Sequence, residues 1–216
     1  MKVLEQLGHR ALFPSQQTCC GQPAFNTGYW DEARKVARHF LKVFADAEVI
    51  VSPSGSCATM VRQFYPELFR DTPHAALAAT VAEKTHELAQ FLVRKLGVTD
   101  VGARFEGKVT LHDSCHGLRE LRLKKEPRRL LREVRGLELI EMKECENCCG
   151  FGGTFAIKFP HISVAMVEAK VKSIEESGAQ YVVGGDSSCL MQINGLLEKR
   201  KSPVKILHLA EVLASH

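Results

Sequence analysis

The chain has 216 residues, 45% of them hydrophobic and 25% charged, with a net charge of +4, the profile of an ordinary folded protein of one large or two small domains. The charge is too small for a nucleic-acid-binding surface, because the one basic run, Arg119 to Arg135, is broken by Glu120, Glu126 and Glu133. No apolar stretch approaches the ~20 residues of a membrane span, and the opening MKVLEQLGHR has no apolar centre of a signal peptide. The expected compartment is therefore the cytoplasm, where eight cysteines point to metal or redox chemistry before a disulfide frame.

In chain order, Cys19-Cys20-Gly21 is the first sharp signal. Adjacent cysteines in an extended strand point to opposite faces. A glycine directly after them permits a turn that aims both at one site. Asp31 to Phe44 then sets Ala33, Val36, Ala37, Phe40, Leu41 and Phe44 at helical spacing. Asn26, Thr27 and Gly28 are placed to cap that helix, and Tyr29 and Trp30 are expected in the core. Val49-Ile50-Val51 reads as a short strand buried on both faces; Cys57 follows it, and Leu88 to Leu92 forms a closing helix.

The second half runs through the same plan with more at its start. Lys108 to His112 reads as a strand, then come Cys115, a helix near Pro127 to Val134 and the apolar run Leu137 to Ile140; the Arg119 to Arg135 segment reads as a helix with a solvated basic face, with docking of an acidic partner as the alternative. Cys148-Cys149-Gly150 follows, then a helix over Ile162 to Glu176, a strand at Tyr181 to Val183, Cys189, a strand at Val204 to Leu207 and a helix over Leu209 to Leu213. From Cys20 to Cys57 is 37 positions and from Cys149 to Cys189 is 40, a match that marks a duplicated unit.

Strands alternating with helices imply right-handed crossovers and parallel pairing. The expected fold is α/β: two tandem repeats, residues 1–104 and 105–216, each a small parallel sheet flanked by helices. The first copy starts inside the equivalent of the Pro127 to Val134 helix. It is therefore read as N-terminally shortened, lacking its first strand and the counterpart of Cys115. Such a sheet has an open edge that a partner chain could fill.

Cys57, Cys115 and Cys189 each follow a strand, and open parallel sheets bind ligands beyond the carboxyl ends of their strands. Cys115, Cys148, Cys149 and Cys189, spaced C-x32-C-C-G-x38-C, can converge there. Four thiolates satisfy an iron–sulfur cluster or a tetrahedral zinc. Cys19, Cys20 and Cys57 are three donors of a first, incomplete site. Gly150, Gly152 and Gly153 let backbone N–H groups approach the same place. The stretch lacks the spacing of a nucleotide-binding loop. His112 and His116 read as loop histidines around the second site, with ligation or proton transfer as the alternative, and Cys145 reads as a small buried hydrophobe.

These motifs resemble the cysteine-rich, or CCG, domain family, found in heterodisulfide reductase and in the iron–sulfur subunits of glycolate oxidase and anaerobic glycerol-3-phosphate dehydrogenase. The closer resemblance is to the lactate utilisation protein A group. It is carried by Cys19-Cys-Gly-Gln-Pro-Ala-Phe-Asn-Thr-Gly-Tyr29, Val51-Ser-Pro-Ser-Gly-Ser-Cys57, Leu96-Gly-Val-Thr-Asp-Val-Gly-Ala103, Cys148-Cys-Gly-Phe-Gly-Gly-Thr-Phe155 and His208-Leu-Ala-Glu-Val-Leu213. The resemblance implies a cytosolic iron–sulfur-binding, electron-transferring subunit that works with two other lactate-utilisation subunits in oxidising L-lactate to pyruvate. It implies that Cys115, Cys148, Cys149 and Cys189 hold the second group and that Cys19, Cys20 and Cys57 belong to the first. The expected group is a [4Fe-4S] cluster, with zinc as the alternative. The rival readings are a disulfide-reductase-type enzyme and a zinc-stabilised or metal-free scaffold; a homo-oligomer is left open. Full members of the family end each unit in Cys-x-x-Cys. Here the second position is Met60 in one copy and Gln192 in the other, which argues for a four-cysteine rather than a five-cysteine group.

Overall fold

The computed structural model describes residues 1–216. Its six strands are β1 (Ile50–Ser52), β2 (Thr85–Glu87), β3 (Arg104–His112), β4 (Arg135–Leu139), β5 (Tyr181–Gly184) and β6 (Lys205–His208). They form two all-parallel sheets, one of β1 and β2 and one in the order β4-β3-β5-β6. Helices flank both, so the α/β architecture with two unequal parallel sheets is as the sequence implies. No helix is long and apolar enough to cross a membrane.

The second sheet shows why its strands form where they do. The last four residues of β3, Val109 to His112, are all buried, because β4 and β5 pair on either side and helices cover both faces. The first half of β3 alternates exposed with half-buried residues, which is why its charged positions Arg104 and Glu106 disguise it in the sequence. In the first sheet no strand of this chain takes the place that β3 takes in the second. The segment ahead of Cys19 forms no strand, and Leu12 and Phe13 stand 72% and 65% exposed, without a central strand to pair or pack on.

Three apolar cores hold the layers. One packs Ala33, Ala37 and Leu41 of the helix Trp30–Phe44 against Ile50, Met60, Tyr65 and Phe69. Another packs Val167, Val171 and Ile174 of the helix Pro160–Glu176 against Val182 and Ile193. The largest is shared between the repeats: Val3, Leu88 and Leu92 join Val109, Leu111, Leu131, Val183 and Leu213. Burying one such side chain stabilises by about 1.5–3 kcal/mol, so the Leu88 helix fastens the first repeat to the second sheet.

Three local expectations need correction. Tyr29 and Trp30 are exposed rather than core; Trp30 stacks on Phe25 at 5.5 Å at the edge of the first core. Thr27 does not cap the following helix. Its hydroxyl donates to the Pro23 carbonyl and meets Thr154 Oγ1 of the other repeat at 2.7 Å, and Tyr29 occupies the cap position with no side-chain bond. The helix Lys125–Arg132 does not present all its arginines to solvent. Arg128 is 7% exposed and donates to both oxygens of Asp113 at 2.9 and 2.8 Å and to Glu141 at 2.7 and 3.0 Å. Two carboxylates at the site end of the sheet outweigh the solvation of one guanidinium, whose planar fork suits bidentate pairing.

Candidate metal centre

Each double cysteine sits on the same turn. Gly21 and Gly150 have φ of +86° and +84°, a left-handed conformation that costs a residue with a Cβ about 1–2 kcal/mol. Each glycine also abuts the start of the following long helix. A Cβ on Gly21 would come 3.2 Å from the Ala33 carbonyl oxygen, and one on Gly150 would come 2.6 Å from that of Ser163. The turn lets the glycine N–H donate back to the first cysteine of the pair at 3.4 Å in both copies, Gly21 to Cys19 Sγ and Gly150 to Cys148 Sγ. That bond favours a thiolate at the first cysteine.

The remaining cysteines arrive on helix N-termini beyond strand ends. Cys57 lies in the helix Gly55–Thr59, capped by Ser54, whose Oγ accepts from Cys57 N. Cys115 opens the helix Cys115–Arg119, capped by Ser114, whose Oγ accepts from Gly117 N. Cys189 is in the first turn of Ser187–Lys199, with Asp186 at the cap. Helix N-termini favour thiolate charge.

Asp186 departs from the pattern. It is 2% exposed and turns away from its own helix to the other repeat. Its carboxylate accepts from Ser54 Oγ at 2.5 Å, Ser56 Oγ at 2.7 Å and Ser56 N at 3.1 Å. The cysteine loops after β1 and β5 are thus clamped together, and Gly55 fits between Ser114, Gly117 and Asp186 because it has no side chain.

In the first set Cys20 and Cys57 have their sulfurs 3.5 Å apart, with Cys19 beside them at the exposed rim. Hydrogen bonding from Cys20 draws Cys19 down to about 6 and lowers Cys57, while Cys20, donor to both, is pushed up. In the second set the thiols form a chain: Cys115 against Cys148, Cys148 against Cys149, Cys149 against Cys189. Cys148 is drawn down to about 2 by hydrogen bonds from Cys115 and then Cys149, and Cys189 to about 6 by Cys149. Cys149 and Cys115 are pushed up as the donors. Buried thiols that share protons are a donor set in which a metal group can displace those protons.

The structure therefore sets neighbouring cysteines of the second set side by side, with Cys149 and Cys189 within 4.8 Å of one another, and places Cys20 against Cys57 in the first. The donor chemistry of the second set fits a thiolate-bound metal group; the first offers three thiols. Gln192, where the full family pattern has cysteine, serves the turn instead. Its Nε2 donates to Ser163 Oγ at 3.1 Å, and Ser163 Oγ donates to the Gly150 carbonyl at 2.8 Å. Met60 is buried in the first core. Cys145 is half-buried, 3.6 Å from Arg128, at the margin of the core under the helix Pro160–Glu176 and outside the chain of thiols.

His112 matters more than its sequence context suggests. It is the last residue of β3, not a loop residue. It is 2% exposed, and one of its nitrogens forms a group with the sulfurs of Cys149 and Cys189, all within 4.8 Å of one another. The available signal was its place at the end of a fully buried apolar run, three residues before Cys115. His116, by contrast, faces Glu120 at 3.4 Å on its own helix.

A duplicated turn of two cysteines and a glycine, with further cysteines delivered by strand ends, defines a cysteine-rich metal-binding class of α/β protein. The family model described as a cysteine-rich domain, CCG, matches residues 1–62 and 109–194, and the chain belongs to that family. Among its relatives are proteins named lactate utilization protein A. That of Exiguobacterium sp. is 51% identical over 99% of this chain and 88% of its own length. Those of Macrococcus caseolyticus and Bacillus subtilis are each 50% identical, over 99% and 100% of this chain and 87% and 90% of their own lengths.

Proposed function

We propose that the chain is an iron–sulfur-binding, electron-transferring subunit of an L-lactate-oxidising system that includes two further proteins. The observation that carries this reading is the sulfurs of Cys149 and Cys189 within 4.8 Å of one another, with Cys148 on the same Gly150 turn and Cys115 opening the helix after β3. The names of the relatives supply the substrate. The bound group would supply reversible one-electron chemistry. The residues of this chain would hold it: four thiolates as ligands, the Gly150 turn to orient two of them, and the helix N-termini of Cys115 and Cys189 to offset negative charge. Cys19, Cys20 and Cys57 would form a second, partial set at the surface.

Protein purified without oxygen is expected to be brown and to contain iron and acid-labile sulfide, with most of both lost in Cys149→Ser. A host lacking the gene should grow on L-lactate when supplied with the wild type and not with that variant. Colourless wild-type protein that stays free of iron after anaerobic reconstitution would sink the reading.

Zinc is the second reading, and one distance favours it. A tetrahedral ion bonded to sulfur at ~2.3 Å separates its sulfurs by roughly 3.8 Å, near the 3.5 Å between Cys20 and Cys57. Stoichiometric zinc with no iron in the same preparation selects it.

A further inference from the structure

His112 is the least explained polar group of the second centre. Neither ring nitrogen has a hydrogen-bond partner, although leaving one buried polar atom unsatisfied costs about 1–3 kcal/mol. The ring is held in place by strand pairing. Its register partner on β5 is Gly184, which sets no side chain beside it. One nitrogen faces the sulfurs of Cys149 and Cys189, the three atoms lying within 4.8 Å of one another.

That spacing is close to what an ion needs. With bonds of ~2.3 Å to sulfur and ~2.0 Å to nitrogen, tetrahedral donors stand roughly 3.5–3.8 Å apart. Movements on the order of 1 Å would close the three around a metal. A hydrogen bond from the ring to one sulfur would satisfy only one nitrogen. Ligation would occupy the nitrogen that faces the sulfurs and leave the other N–H for a water, one of the partners a metal-bound histidine usually takes. His112 also lines a cavity of about 30 Å³ with Glu87, Asp113, Ser114 and Gly185, polar and large enough for one water.

We propose that His112 is a direct nitrogen donor to the metal group of the second centre. Cys149, Cys189 and His112 then form its buried half, and Cys115 and Cys148 its outer half. The inference rests on the reading that the second cysteine set holds a metal.

The test loads the metal-free full chain with cobalt(II), in a Cys57→Ser background that disables the first set, and reads nitrogen coupling by pulsed electron paramagnetic resonance with and without ¹⁵N-histidine. The expected result is a strongly coupled imidazole nitrogen that shifts on labelling and disappears in His112→Leu, with cobalt affinity falling about tenfold or more. His116→Gln should leave the coupling in place. Thiolate-bound cobalt with no coupled nitrogen, or a coupling that survives His112→Leu, overturns the role of His112 and leaves the cysteine site standing. If neither cobalt nor iron binds the second set, the proposed function falls and this inference falls with it. The labelled wild type decides the matter even where the leucine variant does not fold.

Discussion

The two cysteine sites start from one local device and end differently. Both use a left-handed glycine after the cysteine pair, both seat that glycine against the next long helix, and both return a glycine N–H to the first sulfur at 3.4 Å. Around the second turn stand β3 with His112, the helix carrying Cys115, and a buried Arg128–Asp113 pair. Around the first there is a two-stranded sheet, an exposed Cys19, and ion pairs such as Asp31–Arg34 that lie at the surface. A tripeptide makes the turn; the central strand of the sheet makes the site.

The sharpest way to break this contrast is to remove the brace that only the second site has. Arg128→Ala leaves Asp113, 4% exposed, as an uncompensated buried charge, and removing one partner of such a pair costs about 3–5 kcal/mol. Urea denaturation should show that loss. Asp31→Ala, the exposed partner of a surface pair, should lie within about 1 kcal/mol of wild type.

The glycines offer a matched pair next. Gly150→Ala adds left-handed strain and places a Cβ 2.6 Å from a backbone oxygen, whereas Gly21→Ala meets its backbone oxygen at 3.2 Å. The first is expected to cost about 2–4 kcal/mol and the second about 1–2 kcal/mol. Equal losses would show that the two turns are equally constrained after all.

Asp186→Ala cuts the link between the sites. Ser54 and Ser56 lose their shared acceptor, and the expected cost is about 1–3 kcal/mol. If the clamp aligns Cys57, thiol-modification rates should rise at Cys57 as well as at Cys189. A change confined to Cys189 would argue against alignment across the repeats.

The smallest effect is a pH dependence at the junction. Glu87, 3% exposed, is pushed up to about 7 by burial, against hydrogen bonds from Gln90 and Ala89 that lower it. Its folded value lies above its unfolded one, so the stability it contributes is complete below about pH 4.5 and is lost as pH rises through about 7. Glu87→Gln should therefore gain melting temperature relative to wild type between pH 5 and pH 8. A difference that is flat across this range would show that the carboxyl is ionised throughout.

Much of this was legible in the chain. The helix Trp30–Phe44, strands β1, β5 and β6, and the two cysteine-pair turns follow from apolar period and glycine placement, which are local signals. The gathering of Cys115 with Cys148 and Cys189 was readable because strand ends in parallel sheets face one way. Arg128 and Asp186 were not legible, and His112 was legible only as a histidine near the second site with ligation as an alternative. A basic helix face, a cap residue and a strand-end histidine look ordinary in sequence, and each acquires its role from a group far away in the chain: Asp113 and Glu141 for Arg128, Ser54 and Ser56 for Asp186, Cys149 and Cys189 for His112. Tyr29 and Trp30 misled for the same reason, since aromatic residues at the head of an amphipathic helix look like core, and only packing shows that both are exposed, Trp30 stacking on Phe25.

The sequence by itself determined that the protein is a duplicated α/β unit whose cysteine pairs turn back on glycine, because backbone sterics and hydrophobic period act over a few residues. Only the tertiary structure decided that Asp186 ties the loops of the two copies together and that His112 faces the second set of sulfurs. Those facts depend on which charged and polar groups are removed from water together, and that is settled by packing across the chain.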